Sequence, residues 1–110
     1  MRRVLFVCTA NVDRSRTAMD YFRTQFSDIA FSSAGTDEEE TQKANTCFLT
    51  QELIEDATLI LVMEARHRDW MMAHREMDPQ KVHVLGIPDN YRYFAPDLIR
   101  LLEQKCSSFF

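Results

Sequence analysis

The chain has 110 residues, a length suited to one domain, and 45% of them are hydrophobic, enough to fill a single core. A formal net charge of −4 and a pI near 5.3 argue against nucleic acid or an acidic membrane as partner, so any anion must be held by local geometry. Three cysteines at wide spacing, Cys8, Cys47 and Cys106, make neither a disulfide framework nor a Cys/His metal pattern, and they point to reduced thiols in a cytoplasmic protein.

Met1-Arg2-Arg3 precedes an apolar run too short for a signal peptide, and no segment approaches a membrane span. The expectation is one cytoplasmic domain over residues 1–110, with no cofactor and no metal. Residues 3–8 read as a strand buried on both faces, because Val4-Leu5-Phe6-Val7 is continuous rather than alternating. Residues 15–26 follow as a helix, with Ala18, Met19, Phe22 and Phe26 at helical intervals. Ile29 to Ser33 alternates and ends at Gly35, which suits an edge strand.

Asp37 to Lys43 has no apolar periodicity and reads as a solvated loop, or as an acidic rim that selects against acidic peptides. A short helix over 48–57 leads into Thr58 to Met63, the clearest strand and an expected central one. Ala65 to Met77 reads as a helix with Trp70, Met71, Ala73, His74 and Met77 on a partly apolar face, stopped by Pro79. Val82 to Leu85 is a last strand closed by Gly86. Pro96 to Lys105 is a last helix, with proline and Asp97 in its first turn and a lysine near its end. Right-handed crossovers between these elements predict a small three-layer α/β domain, a four-stranded parallel sheet in the flavodoxin-like order 2-1-3-4. Ligands of such sheets sit at the C-terminal strand ends, where strand 1 delivers Cys8.

The chemistry concentrates between Cys8 and Ser15. A strand, a tight loop and a helix start make an anion site, since exposed loop amides and the helix N-terminus both favour negative charge. The same field stabilises a thiolate, so Cys8 is a candidate nucleophile; the competing reading is a small core side chain at a strand end. Arg14 offers a planar fork to two phosphoryl oxygens, and Ser15 is placed to donate to the sulfur. Asn11 suits a left-handed backbone position in the loop.

The run from Val4 to Ala18, with Cys8, Asn11, Arg14 and Ser15, resembles the phosphate-binding loop of the low-molecular-weight protein tyrosine phosphatases, Cys-x5-Arg-(Ser/Thr) at the end of the first strand. Ser33-Ala34-Gly35-Thr36 is similar to the segment after that family's second strand. Ile87-Pro88-Asp89-Asn90-Tyr91 resembles the place of its general acid, and Val62-Met63-Glu64 and Pro96 to Lys105 are similar to a compact bacterial branch. The resemblance implies Cys8, Arg14 and Asp89 as catalytic residues and Thr9, Ala10, Asn11, Val12, Asp13, Arg14 and Ser15 as the phosphate cradle. Asn11, Ser15 and Ser33 would support the loop. Asp89 follows the fourth strand at the sheet end that carries Cys8, beside Tyr91 and Tyr93, which either line a phenyl slot or pack as ordinary aromatics.

The chain departs from the family at Asp13, where many relatives have a second cysteine, and at Arg16, Met19 and Asn90; the family's Gly-His-x-Ala-Arg segment is absent. His67, His74 and His83 have no partner pattern and read as surface or packing residues, and Cys47 and Cys106 as buried or inert thiols. The function implied is phosphomonoester hydrolysis through a phosphocysteine, on a phosphorylated protein or a small aryl phosphate, by a monomer or weak homodimer. The alternatives are a catalytically weak phosphate- or phosphopeptide-binding module, an arsenate reductase short of relay cysteines, and a cysteine phosphocarrier, which has no need of Arg14.

Overall fold

Four short parallel strands carry the molecule, and the two central ones are buried on both faces over most of their length. The computed structural model describes residues 2–110: β1 (Arg2–Cys8), α1 (Arg14–Gln25), β2 (Ile29–Gly35), α2 (Glu38–Ala44), α3 (Gln51–Asp56), β3 (Leu59–Val62), α4 (Ala65–His74), a 3-10 turn (Pro79–Lys81), β4 (Val82–Val84) and α5 (Pro96–Cys106). The sheet order is β2-β1-β3-β4, with all neighbours parallel, as expected. β2 is an edge and β3 is central.

Alternation along β1 divides the core into two layers. Val4, Phe6 and Cys8 face Ala18 and Phe22 of α1 and Leu98 and Leu102 of α5. Leu5 and Val7 face Ile54 of α3, Met71 of α4 and Ile60 of β3. Val4, Leu5, Phe6 and Val7 are fully buried, which is why the run is continuously apolar. Phe22, Phe31 and Phe110 surround Phe6 with ring centroids 5.8, 6.0 and 6.3 Å away, so aromatic packing anchors the strand that ends in Cys8.

The acidic stretch is a helix, not a loop. The Asp37 side chain accepts from Glu40 N, Glu38, Glu39 and Glu40 occupy the first turn, and Asn45 closes the C-terminus in the left-handed region at φ 56°. Caps and dipole compensation hold α2 where an apolar stripe is lacking, and Thr41 is its one buried residue. α4 ends at His74, short of the expected Met77, with Ala73 and His74 exposed and His67 and Met71 buried. Cys47 is exposed, whereas Cys106 is buried.

Gly35 sets the spacing between β2 and the loop after β1. A Cβ there would lie 2.4 Å from Thr9 O, closer than any side chain permits, and 3.0 Å from Asn11 N, a tight contact. Gly35→Ala is therefore expected to push the loop outward and to lower stability by about 1–3 kcal/mol, the scale of overpacking. Urea unfolding monitored by circular dichroism measures this directly.

Candidate active site

β1 delivers Cys8 at the C-terminal edge of the sheet, where its neighbours β2 and β3 are entered by crossovers running in opposite directions. The loop that follows has its carbonyls occupied from outside. Cys8 O accepts from Thr36 N at 3.0 Å, Thr9 O from Asp37 N at 3.1 Å and Ala10 O from the Thr46 hydroxyl at 2.5 Å. Peptide bonds here are trans, so each of these carbonyls directs the next residue's N–H the opposite way, into the loop. Among the described residues, no backbone amide from Thr9 to Asp13 has a protein acceptor. A ring of free donors with outward carbonyls is an anion cradle.

Asn11 holds the turn. Its backbone is left-handed at φ 57°, its Nδ2 donates to Ser15 Oγ at 2.7 Å and its Oδ1 accepts from Cys47 N at 3.2 Å. Ser15 Oγ also lies 3.0 Å from Cys8 Sγ. Because Asn11 donates into the hydroxyl oxygen, the hydroxyl proton is free to be directed at the sulfur.

Arg14 is 1% exposed, a buried cation that must be compensated. Its Nη1 donates to Glu64 Oε2 at 2.6 Å and to Ile87 O at 2.7 Å, which occupies both protons of that nitrogen. Nε lies 3.7 Å from Asp89 Oδ1. Nη2 has no hydrogen-bond acceptor among the described residues and remains available to a ligand. Burial works to raise the Glu64 carboxyl, but hydrogen bonds and charge from Arg66 and Arg14 outweigh it and hold the group below the usual carboxylate range.

The cavity over the sulfur is lined by Cys8, Thr9, Ala10, Val12, Asp13, Arg14, Glu40 and Asp89. It brings together the loop and the expected acid. Asp89 arrives because Leu85 N and Ile87 N extend the ladder, donating to Val62 O and Met63 O at 2.8 Å each, and Gly86 turns the chain at φ 75°. Ser33 lies outside this grouping; its hydroxyl donates to Met19 Sδ at 3.4 Å. Tyr91 and Tyr93 do not line the cavity either. Tyr91 packs against the α1/α5 side of the core, and Tyr93 donates to Asp20 at 2.5 Å. Asp13 stands at the N-cap of α1 without a side-chain capping bond and, among the described residues, has no ion-pair partner.

Sequence reasoning missed Glu64 and His67. Glu64 N–H donates to His67 Nδ1 at 3.0 Å, so the proton of the neutral ring sits on Nε2, 2.9 Å from Thr9 Oγ1. Burial first, then the charges of Arg14 and Arg66, lowers the His67 pKa to about 4. Glu64 follows the central strand at the ligand end of the sheet; that position was the available signal.

Comparison with known structures places this geometry. No protein-family model matches the chain, and no curated protein matches it in sequence. Wzb of Vibrio vulnificus, solved with benzylphosphonate, superposes with a TM-score of 0.76 at 22% identity, over 98% of this chain and 96% of that one. The low-molecular-weight protein tyrosine phosphatase SP-PTP of Streptococcus pyogenes gives a TM-score of 0.77 at 17% identity, covering 99% and 91%. The tyrosine phosphatase Wzb of Escherichia coli K30, solved with phosphate, gives 0.72 at 25% identity, covering 97% and 94%. The chain has the fold of the bacterial low-molecular-weight protein tyrosine phosphatases.

Within this low-molecular-weight phosphatase fold, the buried neutral His67 ties stability to pH. The unfolded chain takes up the imidazole proton near pH 6.5 and the folded chain only near 4. Stability from this group is therefore complete above pH 6.5, declines as pH falls and is gone below 4, a loss of at most about 3 kcal/mol. Urea unfolding at several pH values should show this acid-side decline, and His67→Asn should flatten it.

Proposed function

We propose that the protein is a phosphomonoester hydrolase acting through a phosphocysteine on Cys8. The observation that supports the reading is the loop itself: the outward carbonyls of Cys8, Thr9 and Ala10, the unpartnered amides that follow them and the free edge of Arg14 share one cavity with the sulfur. The Cys8 thiolate attacks phosphorus while the amides and Arg14 Nη2 hold the charge that spreads over the equatorial oxygens. Asp89, as the acid, gives its proton to the departing oxygen and as carboxylate then takes one from water. Water attacks the phosphocysteine, the S–P bond breaks, and the Ser15 hydroxyl steadies the sulfur as it leaves.

A phosphorylated protein or small aryl phosphate is the substrate class, supported by the benzylphosphonate and phosphate carried by the two Wzb structures of like fold. Val12 and Ala10 supply the apolar wall, a role that Tyr91 and Tyr93 do not take. A second reading, a phosphate-binding module with weak turnover, draws on the Asp13 and Glu40 carboxylates that share the cavity and oppose a dianion. Arsenate reduction is disfavoured because the two further thiols do not form a relay pair: Cys106 is buried, which pushes it up to about 12, and Cys47 lies exposed on a separate segment.

Hydrolysis of p-nitrophenyl phosphate decides between these. Wild-type turnover that is inhibited by vanadate and lost in Cys8→Ser is expected; turnover that persists in Cys8→Ser overturns the phosphocysteine route. Binding of phosphate without wild-type turnover selects the second reading. Asp89→Asn should lower kcat by about 10²-fold or more on phenyl phosphate, in the range of a lost general acid. The loss should be smaller on p-nitrophenyl phosphate, whose phenolate needs no proton to leave.

A further inference from the structure

One turn of chain reaches both ends of the loop around Cys8. Glu64 precedes α4 and takes Arg14 Nη1 at 2.6 Å on its carboxylate; Arg14, the first residue of α1, directly follows the loop. The backbone N–H of the same Glu64 donates at 3.0 Å to Nδ1 of His67, in the first turn of α4. The other ring nitrogen then donates at 2.9 Å to the hydroxyl of Thr9, the loop's first residue. His67 is 1% exposed, and both of its nitrogens are used. A ring serving only as filler needs neither bond, and an apolar side chain of that size fills the space without the cost of burying two polar atoms.

We propose that His67 is a positioning residue: through Thr9 it fixes the first peptide of the loop relative to the Arg14 end that Glu64 holds. The amides after Cys8 and the free edge of the guanidinium are thereby kept at one separation, set from outside the loop by the Glu64–His67 turn. The rate consequence rests on the phosphomonoesterase reading; the bracing itself does not. Imidazole suits the task because its two nitrogens point to opposite sides of a rigid ring, bridging a backbone N–H and a hydroxyl that do not touch each other.

The test compares wild type with Thr9→Val, Thr9→Ser, His67→Asn and the Thr9→Val/His67→Asn double variant. Asn at position 67 can accept from Glu64 N–H but is too short to reach Thr9, and Val removes only the hydroxyl. Thr9→Val and His67→Asn should each lower kcat about 10-fold, the scale of one hydrogen bond, with KM changed by less than about 2-fold. The double variant should be no worse than either single one, and Thr9→Ser, which keeps the hydroxyl, should recover most of the rate that Thr9→Val loses. Thr9→Val turning over at the wild-type rate, or losses that multiply to about 100-fold, overturns the proposal. Should His67→Asn not fold, the contrast of Thr9→Val with Thr9→Ser decides alone, and equal rates for the two overturn it. Should wild type neither hydrolyse phosphate esters nor have Cys8 protected from iodoacetate by inorganic phosphate, the phosphatase reading fails, and the brace is then read from hydrogen exchange. Faster exchange of the Thr36 and Asp37 amides, which donate to the carbonyls of Cys8 and Thr9, in Thr9→Val than in Thr9→Ser supports it; equal exchange overturns it.

Discussion

The rest of this site depends on the direction of three carbonyl groups. Thr36 and Asp37 meet the carbonyls of Cys8 and Thr9 from one side, and Thr46 meets that of Ala10. A planar trans peptide allows no independent choice for the amide that follows. Inward-facing donors are thus a by-product of bonds made on the far side of the backbone, by residues that do not line the cavity. The close fit of Gly35 against Thr9 is part of the same arrangement, since the segment supplying those bonds must lie against the loop.

Charge in the cavity is balanced with little to spare. Arg14 is a buried cation whose one terminal nitrogen is neutralised by Glu64 and Ile87, leaving its other edge as the free positive surface. Asp13, Glu40 and Asp89 border the same space. In a chain of net charge −4, an oxyanion finds attraction only over the few ångströms where amides and guanidinium converge. Long-range steering favours an oxyanion carried by an otherwise neutral or cationic group.

Much of this was legible in the residues, and where it was not the reason is physical. β1 and its central place follow from four consecutive buried apolar residues, and the strand order from right-handed crossovers. α2 was invisible because it is held by capping and dipole effects, which leave no apolar period to read. Glu64 and His67 were hidden for another reason. Their meaning lies in contacts with Arg14 and Thr9, some fifty residues away in the chain, and a single sequence carries no record of which distant residues meet. Tyr91 and Tyr93 show the converse: nearness to Asp89 along the chain suggested a pocket wall, while packing against the core and a hydrogen bond to Asp20 turned them elsewhere.

Beyond Asp89, Tyr93 bonds Asp20 and Phe94 N–H donates to Thr17 Oγ1 at 2.7 Å, with Phe94 itself in the left-handed region at φ 60°. A bulky side chain in that conformation persists only where its surroundings hold it. Both anchors are on α1, the helix that begins at Arg14. The segment that carries Asp89 is therefore tied at both ends to the frame that holds the guanidinium at position 14, and the span between Pro88 and Arg92 is the whole length of leash on which the carboxylate can swing.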